Sequence, residues 1–235
     1  MPNELLWFIF IVVDLSFSIL AFYIWGKKGV YVMVAVGTIV CNIQVIKTIQ
    51  MFGLVATLGN VVYASIFFNT DILSEVYGKK EARGAVWLGF YALVTATVAM
   101  QFAIRFIPDA SDIMQPHLAA IFGFLPRIVV ASLTAYLVSQ HHDIWAFLFW
   151  KKLTKGKWLW LRNNLSTMVS QLIDSSVFTF LAFFGVFPWQ VFWQIFLTTY
   201  ILKLIIAACD TPFIYLARWL YYRKKSQKLI QAGGK

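Results

Sequence analysis

Seven stretches of this chain stay apolar for about 20 residues each, the length a helix needs to cross the hydrocarbon of a bilayer. They lie at approximately 4–25, 30–52, 54–77, 85–105, 118–140, 165–184 and 191–217. Lipid offers peptide groups no hydrogen-bond partners, so such runs read as helices that satisfy their own backbone. Composition agrees. Of 235 residues, 60% are hydrophobic and 13% charged, where a soluble domain carries about 25% charged residues. A soluble enzyme, a disordered tail and a DNA-binding domain are thereby excluded. The sequence predicts an all-α polytopic membrane bundle of seven transmembrane helices, one membrane domain over residues 1–235. The first stretch lacks a basic leader and a small-residue cleavage site, so it reads as a span and not as a signal peptide.

The net charge of +10 reflects orientation. Sixteen of the 20 Lys and Arg residues fall in the first, third and fifth connections and in a basic tail at 218–235. By the positive-inside rule the N-terminus faces out and the C-terminus faces the cytoplasm. Trp7, Trp189 and Trp193 mark one interface and Trp25, Trp87 and Trp219 the other. Nucleic acid is not an expected partner; the lipid bilayer is. The segment 143–162 mixes Trp145, Trp150, Trp158 and Trp160 with lysines and is expected to lie as a helix in the cytoplasmic interface. Cys41 and Cys209 sit in apolar runs and imply neither a disulfide nor a metal site. His141, His142 and Asp143 read as a solvated loop, and His117 as a surface residue. No metal or cofactor is expected.

Ionisable groups inside spans cost about 2.5–3.5 kcal/mol each on insertion scales, so they must face protein or a wet cavity. Those expected there are Asp14, Lys47, Asp71, Glu75, Arg127, Asp174, Lys203 and Asp210. Helical spacing sorts them. Asn60, Phe67, Asp71 and Glu75 share one face of the third span; Asn164, Thr167, Gln171 and Asp174 share one face of the sixth. The seventh carries Lys203 and Asp210 and then Pro212, expected to kink it. The second offers Gln44, Lys47 and Thr48, and the fifth begins near Pro126 and Arg127. Polar stripes on separate spans are buried by facing one another, which predicts a shared cavity of carboxylates, carboxamides and aromatic rings. Such a lining suits a small, flat, polar heterocycle, although the same groups could carry protons or sodium. The motifs of zinc proteases and of serine hydrolases are absent.

Several longer strings resemble the queuosine precursor transporter family: DILSEVYGKKEAR at 71–83, RIVVASLTAYLVSQ at 127–140, WLRNNLSTMVSQLIDSSVFTFLAF at 160–183, and Lys203 followed by TPFIY at 211–215. The similarity spans about 30–215. It implies an integral inner-membrane carrier, not an enzyme, importing 7-deazaguanine bases for tRNA modification: the cyano and aminomethyl precursors of queuosine, or queuine. It also implies a bundle similar to the substrate-binding components of energy-coupling-factor vitamin transporters. The matched positions are Asp71, Glu75, Arg127, Asn163, Asn164, Ser166, Thr167, Gln171, Asp174 and Lys203. A deazaguanine presents an N1–H and a 2-amino group side by side. Asp71 or Asp174 would accept that edge, Gln171 or Asn164 would read the 6-oxo group, and Phe67 or Phe178 would stack on the ring. Two departures from the family follow. Residues 4–25 add a helix to its usual six, and the first span has no pair of small residues four apart of the kind that docks on an ATPase module. Ala92 with Ala96, and Ala131 with Ala135, have that spacing and are read as packing within the bundle. A stand-alone carrier working by alternating access is therefore favoured over the binding subunit of an ATP-driven complex for another vitamin, and over an intramembrane enzyme. A homo-oligomer is left open.

Overall fold

The structure is a computed structural model, and it describes residues 2–123, 126–185 and 188–233. Among them are eight helices and one hairpin, in the order α1 (Asn3–Trp25), α2 (Lys27–Gln44), β1 (Thr48–Met51), β2 (Leu54–Thr57), α3 (Asn60–Val76), α4 (Lys79–Ala103), α5 (Gln115–Phe122), α6 (Pro126–Leu153), α7 (Leu159–Phe183) and α8 (Trp189–Gly233). The all-helical expectation is met, apart from the hairpin. Four segments are by themselves long and apolar enough to cross a membrane: Asn3–Trp25, Lys79–Ala103, Leu159–Phe183 and Phe192–Lys224.

The centre of the bundle is α3. Every residue from Asn60 to Glu75 except Tyr63 is buried, under α1, α2, α4, α6 and α8. The helices around it invert the soluble pattern. The outward face of α1 shows Leu5, Ile9, Val12, Phe17 and Leu20, whereas Trp7, Ile11, Asp14 and Ser18 point inward. Water is not the outer solvent of such a face, so apolar exposure carries no penalty there.

Several expected boundaries are corrected. The second and third spans do not meet at residue 53. Between them β1 pairs antiparallel with β2 in the register Thr48↔Thr57, Ile49↔Ala56, Gln50↔Val55 and Met51↔Leu54. Phe52 and Gly53 close the hairpin at φ 50° and 76°, the left-handed pair of a tight two-residue turn. The run is predominantly apolar, so hydropathy could not separate strand from helix. Asn3 Nδ2 donates to Gln50 O (3.0 Å), and Glu4 accepts from Phe52 N (3.0 Å), tying the hairpin to the start of α1. Lys47, expected within a span, is exposed in the turn before β1.

The interfacial helix expected at 143–162 does not exist as a separate element. Residues 143–153 continue α6, and a tight turn through Lys155, Gly156 and Trp158, all at positive φ, leads directly into α7. The exposed tryptophans of this segment are divided between the outer face of α6 (Trp145), the turn (Trp158) and the start of α7 (Trp160). Trp145 and Phe149 stack outside at 5.5 Å, while Ile144 and Phe147 are buried. His141, His142 and Asp143 are accordingly helical, and Asp143 is fully buried. In the expected fifth span, residues 124 and 125 lie outside the described residues. Helix α8 runs on through Pro212 and the basic tail, and Lys224 sits over the Tyr23 ring of α1 at 3.9 Å.

Close packing depends on Gly89 of α4. A Cβ there would lie 2.5 Å from the Tyr136 hydroxyl of α6 and 2.9 Å from Thr38 Oγ1 of α2. Overpacking of such a contact costs about 1–3 kcal/mol. Gly89→Val should lower the unfolding temperature in detergent by that measure, read by thermal denaturation of the purified protein.

Candidate functional site

Helix α7 organises the interior. Its buried side chains include Arg162, Asn163, Ser166, Thr167, Ser170, Gln171, Asp174, Ser175 and Thr179, two adjacent rows recurring every four residues. The opposite face, with Met168, Val169, Leu172 and Phe180, is exposed. A helix polar inside and apolar outside is stable only where lipid is the solvent and other helices supply hydrogen-bond partners. Three clusters along this stripe provide them.

Nearest the hairpin, Asp174 is held by three helices. Lys203 of α8 donates to Oδ2 at 2.5 Å. Ser139 of α6 donates to Oδ1 at 3.1 Å, and the Tyr63 hydroxyl of α3 also donates to Oδ1. The Lys203 ammonium lies 4.6 Å from the Tyr63 ring centroid, a cation–π contact. Tyr63, Asp174 and Lys203 border a pocket of ≈ 470 Å³, open mouth included, with Asn42, Asn60 and Phe178 in its wall. Asn60 is oriented by Trp7 Nε1 of α1, which donates to its Oδ1 at 3.1 Å.

About 12 Å further along α3, at 1.5 Å per residue, Asp71 meets Asp143 of α6 and Asp210 of α8. Thr167 Oγ1 donates to Asp71 Oδ2 at 3.4 Å, and Asn163 Nδ2 donates to Asp210 Oδ1 at 2.8 Å. One turn beyond, Glu75 is clasped by cations from three helices: Arg162 at 2.5 Å, Lys151 at 3.0 Å and Arg218 at 3.5 Å. Lys151 also donates to the Glu75 backbone carbonyl at 2.6 Å. Arg162 lies against the Phe147 ring at 5.5 Å. On this same basic end, Lys27 pairs with Glu81 at 3.2 Å, and the Tyr31 hydroxyl donates to the same carboxylate at 2.5 Å. Among the described residues no group of three or more His, Cys, Asp or Glu side chains is arranged to hold a metal ion.

The expected site residues are therefore distributed over three levels. Asn60, Asp174, Phe178 and Lys203 border the pocket. Asp71, Asn163, Thr167 and Asp210 form the second level and Glu75 the third. Phe67 is buried against Tyr63 at 5.7 Å and is not among the residues bordering the pocket. Gln171 is buried between the first two levels, with neither amide atom hydrogen-bonded. Asn164 turns aside to Thr211 Oγ1 of α8 (2.8 Å) and to the Trp160 carbonyl. Asp14 faces Ser65. Arg127 is exposed and caps the end of α7 through the carbonyls of Leu181 and Phe184, both at 2.8 Å. Tyr63, Ser139, Asp143 and Arg162 were missed. Tyr63 falls on the Asn60–Phe67–Asp71 face at helical spacing, and Ser139 lies four residues before Asp143; those spacings were the available signals.

The family described as "Putative vitamin uptake transporter" matches residues 57–217. The chain belongs to the vitamin uptake transporter family. It is also 43% identical over 219 residues to a "Probable queuosine precursor transporter" of Bacillus subtilis, covering 93% of this chain and 96% of that protein. A protein of the same description from Haemophilus influenzae is 24% identical over 135 residues, 57% of this chain and 54% of that one. No solved structure matches the chain. The family and these relatives are transporters, not enzymes, which removes the intramembrane-enzyme alternative. The family match includes the acidic residues of all three levels of the stripe and ends one residue before Arg218; with the apolar helices it marks this family member as a membrane protein.

Breaking a buried ion pair costs about 3–5 kcal/mol, whereas replacing both partners is often neutral. Lys203→Met alone should destabilise the protein by about that amount. The double variant Asp174→Asn with Lys203→Met should recover most of the loss in thermal unfolding.

Proposed function

We propose that this member of the vitamin uptake transporter family carries a queuosine precursor, a 7-deazaguanine base, across the inner membrane and binds it at the Asp174–Lys203 pocket. The observation that carries the reading is the pocket's chemistry: one carboxylate and one ammonium, paired with each other, beside two carboxamides and the Phe178 ring. The printed name of the 43% identical relative supports the same substrate class.

The base would exchange for the internal pair. Its N1–H and 2-amino groups offer two parallel donors to Asp174, the geometry a carboxylate accepts best. Lys203, released from the carboxylate, would then donate to the 6-oxo group. Phe178 supplies a ring face, and the carboxamides of Asn42 and Asn60 offer both donors and acceptors to the remaining ring edge. The pocket supports Asp174 over Asp71 as the base-reading carboxylate, and Phe178 over Phe67 as the stacking ring. Gln171, unpartnered one turn away, is in reach of a side-chain rotation toward either level.

Seven spans with the N-terminus outside accord with the basic residues gathered at the Glu75 end. In that orientation the hairpin end, with the pocket, faces outward. The Glu75 clasp joins α3, α6, α7 and α8 and would close the cytoplasmic end. Alternating access then requires the clasp to loosen as the Asp174 level closes over substrate.

Uptake of radiolabelled base into cells unable to make queuosine precursors tests this. Asp174→Asn should reduce uptake at least about tenfold, the scale of losing one charged hydrogen bond, at unchanged membrane abundance. The cyano base, the aminomethyl base or queuine should compete with the label, and guanine should not. Wild-type uptake by Asp174→Asn removes that residue from the site. Competition by riboflavin and by none of the three bases overturns the substrate class.

A further inference from the structure

We propose that Asp71, Asp143 and Asp210 form a proton-binding site, and that the proton taken up there is coupled to transport. This rests on the transport reading above and adds an energy source to it.

The three carboxyls are 0%, 0% and 1% exposed and come from three different helices. The two other buried acidic centres on the stripe, Asp174 and Glu75, are each matched by cations. Among the described residues no ion pair reaches any of these three. Asp71 and Asp143 nonetheless lie within hydrogen-bonding reach of each other. Two ionised carboxylates have only acceptor atoms, so a bond between them requires a proton on one.

Ser166, Ser170 and Thr167 all lie beside Asp143, and in the arrangement seen their hydroxyls serve other acceptors. Ser166 donates to the Asn163 carbonyl at 3.2 Å, Ser170 to the Ser166 carbonyl at 2.7 Å, and Thr167 to Asp71. The carboxylate oxygens left without a hydrogen bond are Asp71 Oδ1 and both Asp143 oxygens, and the Asn163 carboxamide is fixed at the cluster by its bond to Asp210. Among the described residues no group of three or more His, Cys, Asp or Glu side chains is arranged to hold a metal ion, and a proton shared between Asp71 and Asp143 satisfies their contact.

The surrounding groups are consistent with such a site. Helix α7 presents only neutral side chains to it, Asn163, Ser166, Thr167 and Ser170. The nearest charges toward the basic end belong to Glu75 and its three cations, which are already paired. Cys209 adjoins Asp210, and α1 contributes Asp14, which faces Ser65. Helices α2 and α4 carry their charged side chains only in their first two turns. A route to water exists along α6, where the partly exposed His142 reaches Ser170 Oγ at 3.0 Å beside Asp143.

Coupling follows from placement. The carboxyls tie α3, α6 and α8 together while protonated; loss of the proton sets like charges against one another and drives those helices apart. The same helices carry Tyr63, Ser139 and Lys203 to Asp174. Proton binding and base binding must then change each other's affinity by the same factor. In each cycle one proton passes from water on one side to the carboxyls and from them to water on the other, with no other bond changed.

The test uses the full-length protein in liposomes with radiolabelled 7-cyano-7-deazaguanine. With one proton coupled, an inside-alkaline gradient of one pH unit should raise accumulation up to about tenfold. Asp143→Asn and Asp71→Asn should keep base exchange between equal pools and lose the gradient-driven accumulation. Asp14→Asn should keep both. Infrared spectra of the detergent-solubilised protein at neutral pH should show a protonated-carboxyl band that Asp143→Asn and Asp71→Asn each diminish, a readout independent of transport. Exchange by the wild type without any response to the gradient overturns the coupling and leaves the carrier reading intact. An infrared band unchanged in both variants overturns the proton site. Absence of exchange with any of the three precursor bases overturns the carrier reading and the coupling with it.

Discussion

A carboxylate inside a membrane protein must be matched by a cation, a hydrogen-bond donor or a proton, because neither lipid nor a dry interior will stabilise its charge. The polar stripe of α7 makes that requirement the organising constraint of this fold. It obliges α3, α6 and α8 to bring their polar side chains to the same line, and it turns the apolar faces of the outer helices to lipid. Each level answers the requirement differently. Asp174 is met by Lys203, Tyr63 and Ser139, and Glu75 by Arg162, Lys151 and Arg218. The Asp71 level between them has acceptors and no cation.

This division suits a carrier. An internal pair such as Asp174–Lys203 keeps the empty pocket neutral and can be exchanged for a ligand that presents donor and acceptor edges of its own. A multivalent clasp such as that around Glu75 is a firm closure that nevertheless consists of exposed-side cations, Lys151 and Arg218 being 31% and 35% accessible. Partial hydration lowers the cost of separating them, so that end can be both closed and openable. The two levels lie on the same three helix partners, which makes a change at one mechanically felt at the other.

Much of this was legible in the chain. The Asn60–Phe67–Asp71–Glu75 and Asn164–Thr167–Gln171–Asp174 faces follow from helical periodicity, and all but Asn164, which turns to Thr211, are buried in the interior. The misses have physical causes. Tyr63 counts as apolar in a hydropathy reading, although its hydroxyl is what reaches Asp174. Arg162 was counted with the basic connections, because charge counting cannot tell a solvated arginine from one aimed inward at Glu75. Asp143 followed two histidines near the end of an apolar run and passed for loop. The β1–β2 hairpin, set within a predominantly apolar run, has a Phe-Gly turn that became readable only with its backbone angles.

What the sequence determined by itself is the solvent and the inventory: long apolar runs demand a bilayer, and period-four polar rows demand an interior that can receive them. Both are local properties, set by neighbours within a turn or two. Which charge meets which was decided only in three dimensions. Lys203 and Asp174 are 29 residues apart, Asn163 and Asp210 are 47, and Tyr63 and Asp174 are 111. Periodicity fixes the face on which such groups lie, but Coulomb and hydrogen-bond energies depend on separations of a few ångströms, and those exist only once the helices have packed.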